Sequence, residues 1–246
     1  MRIAEASSTS VNHLWSSAES QVAGAGVLEE AAQAMADQLH EQFSDSVLIA
    51  RVFLTVPFGN LPDANQEFVR NLAEGAGAAD SLTATTPVLS LVGTHGREDD
   101  WNDRRNSKGH VGISLISSSF VGAIPMISRL LKEMGVPIEW IDNHDAEIII
   151  ETIGHSTGLF VVDNAAEATD VEGRKIIAAQ DFVSAYNVTG VFGLGGAYDG
   201  GEVIVMVAFC SDSFPRESAE QFLSLVSLFK SRTGALVESD NIFSNG

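Results

Sequence analysis

Two β-rich runs near the end of the chain, Val188 to Ala197 and Glu202 to Phe209, are joined by only Tyr198-Asp199-Gly200-Gly201. Asp-Gly is expected to supply the positive φ angles of a tight hairpin, so the sheet is expected to be antiparallel. Pro215 then stands at the first position of a helix running to about Arg232. Ala219, Phe222, Leu223, Val226 and Phe229 share one stripe of it, and Leu225 and Leu228 widen that stripe. So wide an apolar face predicts burial against more than one neighbour.

Upstream, Leu28, Ala31, Ala32, Met35, Leu39 and Phe43 recur at steps of three and four and predict a helix from Gly26 to Phe43. Ser46 to Phe58 has the composition of a buried strand. Pro62 opens a second helix carrying Phe68, Val69 and Leu72, which stops in Gly75 to Ala79. Strands follow at Val88 to Gly93 and Val111 to Ile116. Ser119 is the expected N-cap of an amphipathic segment from Phe120 to Met134, kinked or delayed by Pro125 and stopped by Gly135. Short β-like runs at Glu147 to Glu151 and Leu159 to Asp163 complete an α+β pattern without repeats or linkers.

Composition narrows the function classes. The chain has 246 residues, 45% of them hydrophobic and 19% charged, which is ordinary globular composition. Its 14 Lys+Arg against 33 Asp+Glu leave a net charge of −19, which repels nucleic acid and anionic lipid. The single cysteine, Cys210, excludes an intramolecular disulfide framework and fits a reducing, cytoplasmic setting. Met1 to Gln21 has no apolar signal core, and no run of about 18 apolar residues occurs. Neither standard secretion nor a membrane span is expected.

Three motifs invite chemistry. Gly154-His155-Ser156-Thr157-Gly158 matches G-x-S-x-G, but a nucleophile elbow must lead into a helix and here leads into a β-like run, with no later histidine. Asp142, His144, Asp145 and Glu147 crowd together, and Glu151 and His155 lie four apart, a ligand spacing that works only on a helix. A solvated acidic turn is the plainer reading, and no metal is expected. The glycines at 190, 193, 195 and 196 lack both the dinucleotide spacing and the Gly-Lys-Ser/Thr of a phosphate loop, leaving hairpin packing as their role. Cys210 reads as a small core residue rather than a reactive thiol.

The segment His95 to His110, H-G-R-E-D-D-W-N-D-R-R-N-S-K-G-H, breaks the pattern: it has no apolar period and holds four of the chain's 14 basic residues. Within Trp101 to His110, Arg104, Arg105 and Lys108 face only Asp103. Guanidinium groups beside an indole can grip a carboxylate or another small anion. Equally, Arg104 and Arg105 can pair with Asp99, Asp100 or Asp103 and pin the loop. The candidate ligand-binding set is Trp101 as an apolar wall, Arg104 and Arg105 as an anion clamp, Asn102, and His110 as a pH-sensitive hydrogen-bonding group.

Leu28-Glu29-Glu30-Ala31-Ala32, Arg51-Val52-Phe53-Leu54-Thr55, Leu61-Pro62, Trp101-Asn102-Asp103-Arg104-Arg105 with Gly109-His110, Ile124-Pro125-Met126-Ile127, Val191-Phe192-Gly193-Leu194-Gly195-Gly196 and Pro215-Arg216-Glu217 together resemble GAF-like sensory domains of bacterial sensor kinases and related signalling proteins. The resemblance implies an antiparallel sheet with the N- and C-terminal helices on one face and a loop-covered cavity on the other. It implies a single domain over 25–236, an N-terminal helical or partly disordered extension over 1–24 and a tail over 237–246. It further implies a non-enzymatic sensor that binds a small ligand, dimerises through its terminal helices and signals through a separate partner. The alternative is an interaction module whose pocket is filled by its own side chains. A small-metabolite enzyme of this fold would want several cysteines. No cofactor is named: the candidate loops offer no cysteine for a thioether link, and spacing does not make His95, His110, His144 or His155 an axial ligand.

Overall fold

In a computed structural model of the chain, residues 1–136, 138, 141–142 and 157–244 are described. The strand expected at Glu147 to Glu151, the residues His144, Asp145, Glu147, Glu151 and His155, and Ser156 lie outside them.

Six strands form one antiparallel sheet in the order β3-β2-β1-β6-β5-β4. They are β1 (Val47–Pro57), β2 (Pro87–Gly96), β3 (Gly112–Ser114), β4 (Gly158–Val162), β5 (Gly190–Ala197) and β6 (Val203–Cys210). The hairpin forms as expected, with Val203 opposite Ala197. Its positive φ falls on Gly201 (91°), not on Asp199-Gly200, and the Tyr198 amide donates to the Glu202 carbonyl at 2.8 Å. One left-handed glycine at the end of the loop is the longer, bulged form of turn.

Strand alternation sends side chains to two cores. Ala50, Val52 and Leu54 of β1 join the core beneath α1 (Ser8–Gly24), α2 (Leu28–Gln42) and the C-terminal helix, whereas Phe53 belongs to the opposite core. Helix α2 presses so closely on β2 that a Cβ on Gly93 would lie 2.5 Å from the Ala32 backbone. Helix α3 (Asp63–Gly75) begins immediately after Pro62.

On the other face the segment expected as one helix is two, α4 (Ser118–Gly122) and α5 (Pro125–Glu133). Pro125 takes the first position of α5, where its missing N–H costs nothing, so it starts a helix rather than kinking one. The cap of α4 is Ser117, whose hydroxyl accepts from the Phe120 amide, and not Ser119. Helix α6 (Gln180–Tyr186) has no counterpart in the sequence reading. Glycines of β4 and β5 make room for Met134 at the end of α5: a Cβ on Gly158 would stand 2.2 Å from the Met134 Cα, and one on Gly195 would overlap its methyl.

The C-terminal helix is also divided, into α7 (Arg216–Glu220) and α8 (Leu223–Glu238). Its second neighbour is α1 of the same chain, which explains the wide stripe without a partner subunit. Residues 1–24, set apart in the sequence reading, bury Val11, Leu14, Ala18 and Val22 in this core. The segment read as a tail returns to α2: the amides of Leu28 and Glu29 donate to the carbonyls of Asn241 and Ile242, both at 2.9 Å. Val27, at the N-cap of α2, offers no side-chain cap, and these carbonyls satisfy the exposed first-turn amides instead. An antiparallel sheet with the terminal helices on one face and short helices on the other is the GAF-like α+β arrangement that the resemblance implies.

Candidate functional site

Between the sheet, the loop from Glu98 to His110, α5 and α6 lies a cavity of about 760 Å³. Its floor is Ile49, Arg51 and Phe209, and its walls include Trp101, Phe182, Tyr186 and Ile127. The aromatic side is a packed cluster, with Trp101 edge-on to Tyr186 at 4.7 Å and to Phe182 at 5.8 Å between ring centroids. The indole also lies against Gly96, where a Cβ would come within 2.6 Å of the ring.

Arg51 is the fixed charge of this cavity. Its Nη1 donates to the Gly109 carbonyl at 2.9 Å and its Nη2 to the Ser107 hydroxyl at 3.3 Å, so the end of the loop wraps around the guanidinium. Nε is shut off from solvent without a hydrogen-bond partner, and no carboxylate among the described residues forms an ion pair with Arg51. Burial lowers its pKa to about 10, so the side chain stays charged at neutral pH. His110 follows, at φ 54°, a left-handed conformation uncommon for a residue with a side chain. Much of its surface is accessible from the cavity, yet the surrounding protein, and then the Arg51 charge, hold its imidazole below the ordinary histidine range.

The predicted set is therefore divided. Trp101 and His110 line the cavity together, while Asn102, Arg104 and Arg105 border a separate, open groove beside α2. Asn102 accepts a hydrogen bond from the Gly96 amide at 2.9 Å and fixes the loop's entry. Arg104, only 6% exposed, donates to Glu29 at 2.9 Å and stacks on Phe243 with its guanidinium carbon 4.8 Å from the ring centre. Arg105 reaches Glu29 at 2.6 Å and Asp103 at 3.3 Å. Both arginines therefore pair within the chain, as the alternative reading of the loop has it, with Glu29 as the main acid where an aspartate of the loop was expected. Burial would raise the Glu29 carboxyl, but the hydrogen bond and charge of Arg104, the Ser244 amide and Arg105 outweigh it and hold the group below the usual carboxylate range.

Sequence reasoning missed Arg51 as a site residue. Its signal was one arginine in an otherwise apolar strand, V-L-I-A-R-V-F-L. It also missed Phe182 and Tyr186. Cys210 is fully buried, and burial together with Asp212 pushes its thiol well up, as a core residue requires. No group of three or more metal-ligating side chains occurs among the described residues, and no helix there is long and apolar enough to cross a membrane.

The chain matches no family profile and no curated protein. Among solved structures it is similar to the GAF domain of an Acinetobacter phosphoenolpyruvate-protein phosphotransferase, at 12% identity and a TM-score of 0.48, covering 96% of this chain and 99% of that one. It is also similar to the chromophore-binding domain of an unusual bacteriophytochrome, RpBphP3, from R. palustris, at 8% identity and a TM-score of 0.46 over 94% of this chain and 62% of that one. Against the bacteriophytochrome RpBphP3 structure from the same bacterium the identity is 9% and the TM-score 0.46, with 94% of this chain and 38% of that one covered. By sheet order and layering, the chain is an α+β domain with a walled cavity on the face opposite its terminal helices.

Proposed function

We propose that the protein is a cytoplasmic, non-enzymatic sensor of bacterial signal transduction that binds a small ligand in the cavity over β1. One observation carries this reading: the cavity is open, walled by apolar and aromatic side chains, and holds a cation with no counter-ion among the described residues. Pockets of a few hundred Å³ with apolar walls and a few placed polar groups are what small-molecule sites look like. Native mass spectrometry of the freshly purified protein tests it. A small molecule that copurifies, or a saturable ligand found by a thermal-shift screen and lost on Trp101→Ala, is the expected result. An empty protein that no small molecule stabilises favours the second reading, an interaction module with a self-filled pocket. That reading draws on the adjoining space among Phe53, Leu89, Ile113 and Leu130, where side chains leave only about 30 Å³. Dimerisation through the terminal helices is a separate proposal, tested by sedimentation. Its motive is the wide apolar face of α8, which also packs against α1 of the same chain.

A further inference from the structure

We infer that the cavity selects a small organic monoanion, an aromatic carboxylate or its chemical equivalent, with Arg51 gripping the acidic end. This inference rests on the reading of the cavity as a ligand site and gives that ligand its class. Arginine has five N–H donors, and the protein uses two of those of Arg51, on Gly109 and on Ser107. Arg51 lines the cavity, each of its Nη groups keeps one N–H beyond those two bonds, and the 3.3 Å bond to the Ser107 hydroxyl is the longer of the two and the easier to exchange for an anion. Arg104, in the other core, has Glu29 at 2.9 Å, whereas no acid of the described chain serves Arg51. A desolvated cation without a counter-ion is costly, and a bound anion relieves that cost.

The charge count follows from the neighbours. Of the basic side chains on the lining, Arg51 stands on the floor and Lys108 is exposed at the mouth, while the surrounding protein and Arg51 hold the His110 imidazole below the ordinary histidine range. At the mouth, Glu98, Asp99 and Asp100 are exposed, and Lys108 pairs with Asp100 at 3.6 Å. An acidic rim of this kind repels di- and polyanions such as nucleotides while one buried guanidinium accommodates a monoanion. The remaining walls, Trp101, Tyr186, Phe182 and Ile127, suit a flat apolar body.

The test compares two fluorescent probes of one shape, 8-anilino-1-naphthalenesulfonate and the neutral N-phenyl-1-naphthylamine, on the wild-type protein and on Arg51→Met and Arg51→Lys. The sulfonate should bind at one site about tenfold more tightly than the neutral probe. Arg51→Met should erase that preference, and Arg51→Lys should keep part of it. Should Arg51→Met fail to fold, displacement from the wild-type protein decides: 1-naphthoate should compete and 1-naphthamide should not. Equal binding of both probes, or equal competition by acid and amide, overturns the monoanion while leaving the cavity as a ligand site. No saturable binding of either probe overturns both.

Discussion

The two faces of the sheet handle the same side chain in opposite ways. On the helical face Arg104 is buried against Glu29, with Phe243 stacked on it and Ser244 donating to the same carboxylate. On the cavity face no carboxylate among the described residues forms an ion pair with Arg51. On the helical face α2 lies against Gly93 of β2 with no space for a methyl group. The cavity face holds its charge in reserve. Both guanidinium groups bury an unpartnered Nε, so what separates them is the acid: Arg104 has Glu29, and no carboxylate among the described residues pairs with Arg51.

Removing each cation in turn is the sharpest way to break this contrast. Arg104→Met leaves Glu29 buried with only the half-exposed Arg105, and it should cost about 3–5 kcal/mol in urea unfolding. A loss below about 1 kcal/mol would mean the pair is not the clasp described here. Gly93→Ala sets a methyl against the Ala32 backbone and should cost about 2–3 kcal/mol, lowering the melting temperature without touching the cavity.

A smaller effect should come from acid. His40, on α2, has a sealed Nε2 without a partner and lies 4.7 Å from the His95 ring, whose Nδ1 meets Asp37 at 2.7 Å. Burial, then His95 and Arg97, lower its pKa to about 4, against the pull of Asp37. The folded state therefore takes up its proton later than the unfolded state. This contribution is complete above pH about 6.5 and is lost as pH falls through about 4. With allowance for partial solvent screening it should amount to about 1–2 kcal/mol, and His40→Gln should flatten the stability profile between pH 6.5 and 4.5. The smallest change is expected on the other face. Arg51→Met loses two hydrogen bonds but removes an uncompensated charge, so stability should stay within about 1 kcal/mol of wild type. Equal damage from Arg51→Met and Arg104→Met would dissolve the distinction between the two faces.

Local signals carried most of the fold. The stripe of α2, the β-branched run of β1 and the hairpin all reappear, because each is encoded within a dozen or so neighbouring residues. Pairings across the chain were not legible. Arg104 and Glu29 are 75 positions apart, and nothing near either one names the other. Helix α6 is only seven residues long, and Phe182 with Tyr186 gives too short a period to stand out, although those two rings complete the aromatic wall. Within the basic loop Trp101 and His110 do reach the cavity, but consecutive short 3-10 turns at Asp99–Trp101 and Arg104–Asn106 carry the arginines away from it. Arg51 was visible as a charge in a buried strand, and only its missing acid makes it a site.

The loop from Arg97 to His110 works as a two-armed lever. One arm carries Trp101, Gly109 and His110 into the cavity, and the other carries Arg104 and Arg105 to Glu29 and the returning C-terminal residues Phe243 and Ser244. Only a few residues separate the arms, and Asn102 anchors the span to the Gly96 amide. One short backbone span thus carries both a wall of the cavity and the contacts that hold the end of the chain to α2.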